Sequence, residues 1–141
     1  MDLESEREAL KVDFLRSAGL AEAARQTLSG DASTRLYERL RTAKGSRLIF
    51  MDQPPALETT VCPPDASDTE RLALGYNAAA RLAAGSVTAF VATAAYLRDH
   101  GLSAPKVYAH DVEAGLAVLE DLGDDVFASL IGVGAHEAPL Y

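Results

Sequence analysis

Residues 28–51 read LSGDASTRLYERLRTAKGSRLIFM, and the architecture follows from how that stretch is taken. Two short runs, Leu36-Tyr37-Glu38-Arg39-Leu40 and Arg47-Leu48-Ile49-Phe50-Met51, are bounded by turn chemistry at Ser29-Gly30-Asp31 and Lys44-Gly45-Ser46. Apolar or alternating runs of this length, punctuated by glycine and polar residues, favour strands over helices. With the segment from Ala23 to Leu28 ahead of them, they predict an antiparallel meander of three strands.

Upstream, Leu3, Leu10, Phe14 and Leu15 fall near one helical face, with Glu4, Glu6 and Glu8 early, Arg16 in the last turn and Gly19 as the stop. Acids at the start and a base at the end suit the helix dipole, so the chain opens on a helix. Downstream, residues 52–69 hold Pro54, Pro55, Pro63 and Pro64 and predict an extended surface loop. Unstructured connections beyond roughly 12–15 residues are usually functional or disordered, which makes this one a candidate lid or edge. An alanine-rich helical pattern runs from Thr69 through Ala84, and Gly85-Ser86 breaks it. Val87, Phe90, Val91, Ala94 and Leu97 trace a second amphipathic helix, ended by His100-Gly101 and kept from resuming by Pro105. Residues 106–119 predict a hairpin turning at Glu113-Ala114-Gly115, followed by the acidic connector Glu120-Asp121-Leu122-Gly123-Asp124-Asp125. The tail from Ala128 to Tyr141 carries no helix stop signal and is read as unstructured.

The chain of 141 residues has the length of one domain, and 48% hydrophobic with 24% charged residues excludes a disordered or low-complexity chain. Thirteen Lys and Arg against 21 Asp and Glu give a net charge of −8, without the basic footprint of a nucleic-acid binder. The charges are unevenly spread. Arg16, Arg25, Arg35, Arg39, Arg41, Lys44 and Arg47 cluster early, whereas Asp111, Glu113, Glu120, Asp121, Asp124 and Asp125 occupy a stretch without Lys or Arg. A local basic region on an acidic protein fits a small anionic ligand. Cys62 is the sole cysteine, so no internal disulfide forms, and no nearby His marks it as a nucleophile. The acidic amphipathic N-terminus is unlike a signal peptide, and no apolar run approaches the ~18 residues of a membrane span. A cytoplasmic protein with no membrane or nucleic-acid partner is expected.

Five antiparallel strands with a helix after the third make an α+β chain with the element order of a protein-kinase-like small lobe. The pieces LSGDASTRLYERL (28–40), IFMDQPP (49–55), GLSAPKVYAHD (101–111) and LAVLEDLGDD (116–125) resemble the N-terminal half of aminoglycoside phosphotransferase-type kinases. Within that superfamily they are most similar to the bacterial cell-wall-recycling anomeric kinases, which phosphorylate N-acetylmuramate and N-acetylglucosamine at the C1 hydroxyl. The resemblance implies a kinase-like N-terminal lobe with a leading helix over residues 1–127. Residues 128–141 would then be the truncated start of a C-terminal lobe. The fragment would be inactive alone, and it would meet the C-terminal lobe, or itself, through an exposed apolar face. ATP with Mg²⁺ is the implied cofactor, the metal ligands lying in the missing half.

The residues suggest how such a lobe would hold a nucleotide. A turn built from Ser29, Gly30, Asp31, Ala32 and Ser33 lets backbone N–H groups approach a phosphate, with the Ser33 hydroxyl as a further donor. Taken alone, the same turn is a plain hairpin. Arg35 and Arg39, four apart, share a strand face and offer guanidinium forks for phosphate oxygens, or are simply solvated. The resemblance makes Glu120, Asp121 and Leu122 a hinge that holds adenine through backbone groups, its side chains facing solvent or capping the next helix. Read from the residues alone, it is equally a helix-capping turn started by Asp124 or Asp125.

The chain departs from kinase pattern in two places. Protein kinases carry a third-strand lysine that pairs with phosphates and with a helical glutamate. Here Met51 or Asp52 stands at that place, the body of the following helix holds no acid, and Arg47 or Arg35 is the candidate substitute. The family's His-Gly-Asp-x-His-x-x-Asn catalytic loop is also absent, and neither Asp99-His100-Gly101 nor His110-Asp111 replaces it, so no catalytic residue is assigned. Two other functions fit the same residues: a phosphotransferase for another small alcohol, such as an aminoglycoside or a choline-like acceptor, and a non-catalytic binding module of kinase fold.

Overall fold

The computed structural model describes residues 2–29, 35–54, 63–73, 86–125 and 127–134. Helix α1 (Leu3–Ser17) starts where Asp2 accepts a hydrogen bond from the Ser5 N–H at 2.8 Å, and it ends before Gly19, whose φ of 73° only glycine adopts without strain. The strands β1 (Ala24–Thr27), β2 (Leu36–Arg41) and β3 (Arg47–Asp52) form the expected meander. Between β1 and β2 the Leu28 N–H donates to the Tyr37 carbonyl at 2.9 Å.

Helix α2 (Asp68–Ala73) begins in a capping box just ahead of the expected start at Thr69: the Ser67 N–H donates to Glu70 Oε2 at 2.8 Å, and the Glu70 N–H donates to Ser67 Oγ at 3.3 Å. The rest of the alanine-rich pattern, residues 74–85, lies outside the described residues, as do residues 55–62 of the proline-rich loop with Cys62. Helix α3 (Val87–Asp99) is followed by Gly101 at φ 74°, the stop expected there.

Strands β4 (Val107–Asp111) and β5 (Leu116–Glu120) make the expected hairpin, its turn closed by Asp111 Oδ1 accepting from the Ala114 N–H at 2.8 Å and by Gly115 at φ 70°. One expectation fails in the tail. Phe127–Gly132 is a short helix, α4, where an unstructured segment was expected; the run Phe127-Ala128-Ser129-Leu130-Ile131 has adequate helix propensity without a stop signal.

The five strands form one antiparallel sheet in the order β1-β2-β3-β5-β4. The architecture is α+β, that of a kinase-like small lobe. The sheet is covered on both faces, which explains why β3 and β5 read as continuous apolar runs instead of alternating ones. Leu40, Phe50, Leu116 and Val118 pack with Phe14 and Leu15 of α1. From the same two central strands Met51, Ala117 and Leu119 pack with Val87 of α3, and Tyr37, Ile49, Phe90 and Val91 close over them. The rings of Phe14 and Phe50 lie 6.0 Å apart at 18°, so α1 is seated on the sheet by an aromatic stack. Burying side chains of this size contributes about 1.5–3 kcal/mol each.

Candidate functional site

The α3 face of the sheet carries the groups on which a nucleotide site would be built. Alternation along β2 places Arg39 on the same face as Tyr37, with its side chain 8% exposed. The guanidinium does not look out toward a phosphate. Its Nε donates to Asp121 Oδ2 at 2.8 Å and its Nη2 to Asp124 Oδ1 at 2.7 Å, with further bonds from Nη2 to Asp121 Oδ1 at 3.2 Å and from Nη1 to Asp124 Oδ2 at 3.0 Å. Arg39 is therefore withdrawn from the phosphate role and assigned to the connector.

Asp121 is correspondingly not a solvated hinge side chain. It is 2% exposed, it accepts from the Gly123 N–H at 2.9 Å in an Asx turn, and Arg47 Nε stands 3.4 Å away. Burial alone would raise its carboxyl, but the Arg39 and Gly123 hydrogen bonds and the nearby arginine charges bring it below the ordinary carboxylate range. The Arg39 guanidinium likewise lowers Asp124, and the two acids raise Arg39 above the usual guanidinium range. Of the two acids read as helix starters, Asp124 is turned to Arg39 instead. Arg47 is held at the connector end of β3, which removes it as a replacement for a third-strand lysine.

Glu120 serves the hairpin. Its N–H donates to the Lys106 carbonyl at 2.8 Å, its carboxylate accepts from the Lys106 N–H at 2.9 Å, and Arg98 of α3 lies 3.6 Å from the same oxygen. Its N–H is thus committed and not available to adenine. Leu122 is 63% exposed, and its backbone has no backbone hydrogen-bond partner among the described residues. The connector therefore offers an open peptide edge at Leu122, flanked by two anchored acids.

At the other end of β2, Arg35 Nε donates to Gln53 Oε1 at 3.1 Å, and its guanidinium lies 5.3 Å from the Phe90 ring centroid, so it is held against α3 at the mouth of the β1–β2 loop. Gly30, Asp31, Ala32 and Ser33 of that loop lie outside the described residues. The open choice between Met51 and Asp52 is resolved by the pleat. Met51 is the residue turned toward α3, fully buried against Val87, while Asp52 points to the opposite face. There Asp52 accepts from Arg7 Nε at 3.1 Å and pairs with Lys11 at 3.1 Å. Lys11 also reaches Glu38, which accepts from Arg25 Nε at 2.6 Å. These bonds tie α1 to β1, β2 and β3. Part of the charge asymmetry read as a sign of an anionic ligand is internal neutralisation, Arg25 against Glu8 and Glu38, Arg39 against Asp121 and Asp124, and Arg47 against Asp121.

No group of three or more His, Cys, Asp or Glu able to hold a metal occurs among the described residues. His100 caps its own helix, its Nδ1 2.7 Å from the Tyr96 carbonyl, and His110 is exposed on β4. A cavity of about 800 Å³ is lined by Leu20, Leu48, Tyr108 and Val118, on the α1 side of the sheet, away from Met51 and Ile49. No helix of the described residues is long and apolar enough to cross a membrane.

Comparison with known proteins completes the picture. No family model matches the chain. Over all 141 residues it is 64% identical to the N-acetylmuramate/N-acetylglucosamine kinase of Caulobacter vibrioides. The chain is similar to a sugar kinase along its whole length. It spans 39% of the length of that relative. Sequence reasoning missed Gln53 at this site, and it read Asp124 as a helix starter and not as a partner of Arg39. A signal for Asp124 existed, because an Asp-x-Gly-Asp pattern after an apolar strand places two acids on either side of a flexible residue.

Proposed function

We propose that these residues form the ATP-binding small lobe of a kinase of the aminoglycoside phosphotransferase superfamily. It transfers a phosphoryl group to the C1 hydroxyl of N-acetylmuramate or N-acetylglucosamine in the cytoplasmic recycling of cell-wall amino sugars. The observation that carries this reading is the 64% identity to the Caulobacter kinase along the whole chain. The fold supports it: β5 runs directly into a connector with an exposed peptide edge, the place where adenine is held in kinase lobes. On this reading residues 1–127 are the lobe and residues 128–141, with α4, begin the next unit. Gly30, Asp31, Ala32, Ser33 and Arg35 lie along the phosphates, and the backbone of Asp121 and Leu122 meets the base.

The residues present fit a nucleotide better than its metal. An open peptide edge and a loop with small side chains suit adenine and phosphates, whereas the described residues hold no cluster of metal-ligating groups. When bound, ATP supplies the phosphoryl group; the lobe contributes position and charge. Mg²⁺ ligands belong to another part of the protein in this scheme.

The test uses the protein at its native length with ATP labelled at the γ-phosphate. Label is expected on N-acetylmuramate and N-acetylglucosamine and not on their C1 methyl glycosides, in which the accepting hydroxyl is blocked. Label on the methyl glycosides would move the transfer to another hydroxyl. Label on an aminoglycoside or choline alone would keep a kinase and replace the acceptor, and no transfer to any acceptor would remove the catalytic reading.

A further inference from the structure

The Arg39 fork spans two acids that bracket Leu122 and Gly123. All three guanidinium nitrogens are used, toward carboxylates 82 and 85 positions away in sequence. One of these acids, Asp121, is 2% exposed and the other, Asp124, is 69% exposed, so the fork holds one end of the dipeptide inside the protein and the other at its surface. Between them Gly123 takes φ +88° with open space where a Cβ would stand, and its N–H returns to Asp121. A glycine in the left-handed region costs chain entropy to fix. The peptide at Leu122 is thus made of residues that would otherwise move freely, and it is ordered by bonds that come from β2.

We propose that Arg39 is a positioning residue for nucleotide binding: it holds the Asp121–Gly123 peptide edge in the geometry that meets the base, without touching the nucleotide. The inference rests on the kinase reading above and assigns to Arg39 a part in it different from phosphate contact. The physical reason is pre-organisation, since an edge already ordered by the fork leaves less freedom to be lost when a base docks on it. A planar fork gives two hydrogen bonds to each acid at once. A lysine in its place keeps the charge as a single point and cannot reproduce those four bonds.

The test compares wild type, Arg39→Lys and Asp124→Asn at native length, measuring by calorimetry the binding of ADP and of inorganic tripolyphosphate, and in parallel the thermal midpoint. Arg39→Lys is expected to weaken ADP about tenfold, the scale of a lost charge-assisted hydrogen bond, while tripolyphosphate binding stays as in wild type. Asp124→Asn lies at an exposed site, keeps the protein folded if Arg39→Lys does not, and is expected to weaken ADP by a smaller factor. ADP affinity unchanged in both folded variants overturns the proposal, even with a lowered thermal midpoint, because Arg39 would then be structural only. Equal losses of ADP and tripolyphosphate overturn it in favour of direct phosphate contact. Wild-type protein that binds neither ligand removes the nucleotide reading itself, and the positioning role with it.

Discussion

Glu38 sits between Arg25 and Lys11, and its carboxyl is held below the ordinary value first by the Arg25 hydrogen bond and then by the charges of both partners. A carboxylate with a lowered folded pKa stabilises the protein above its unfolded pKa, and that contribution is lost as pH falls through the lowered folded value. Asp121 and Asp124 act in the same sense. Stability measured by urea unfolding should therefore be level from neutral pH down to about pH 5 and fall below about pH 4, where unfolded carboxylates take up protons. Glu38→Gln should remove part of that acid slope and cost about 1–2 kcal/mol at neutral pH, solvent near Arg25 screening the pair. An unaltered slope would show that Glu38 does not carry it. Met51 presents a second case. Met51→Lys restores the residue type that protein kinases place on this strand, but α3 carries no acid between Val87 and Arg98 to receive it. The ammonium would be buried unpaired, and a loss of more than about 3 kcal/mol in urea unfolding is expected. A variant as stable as wild type would mean that a partner for the lysine exists.

Among the elements, the connector is where a single backbone position decides geometry. Gly123 has φ +88°, and a Cβ placed there would meet nothing within 4 Å, so Gly123→Ala introduces strain without a clash. A cost of about 1–2 kcal/mol is expected from that left-handed conformation, and calorimetric unfolding checks it. A neutral result would show that the turn relaxes away from the Asx geometry. The element types are legible in the sequence because each depends on local signals. The 44–46 turn, the stop at Gly101 and the Gly115 hairpin are set by residues next to them in the chain. The short helix at Phe127–Gly132 escapes such a reading because a six-residue element lacks the periodicity that identifies longer helices. The start of α2 falls before Thr69 because Ser67 and Glu70 spell a capping box, a signal that the alanine-rich pattern behind it obscures.

For the molecule as a whole, both apolar clusters draw on β3 and β5, Phe50 and Val118 for one face, Met51 and Ala117 for the other. The two faces should lose structure together. Phe50→Ala, at a site with no exposure, is expected to cost about 3–5 kcal/mol, and amide exchange should show protection falling on both faces. Loss confined to the α1 face would mean that the clusters are independent. By itself the sequence determined the order and kind of the described elements from α1 to β5, the antiparallel hairpins and the likeness to a kinase lobe, because periodicity and turn chemistry act over a few residues. It also narrowed the third-strand position to Met51 or Asp52. Only the tertiary structure decided between those two, since the strand's pleat and the helices on either side assign each a face. Only the tertiary structure turned Arg39 from a candidate phosphate ligand into the anchor of the connector. The physical reason is the same in both cases: an ion pair or a buried face depends on partners brought from far along the chain, and no local pattern records which partner arrives.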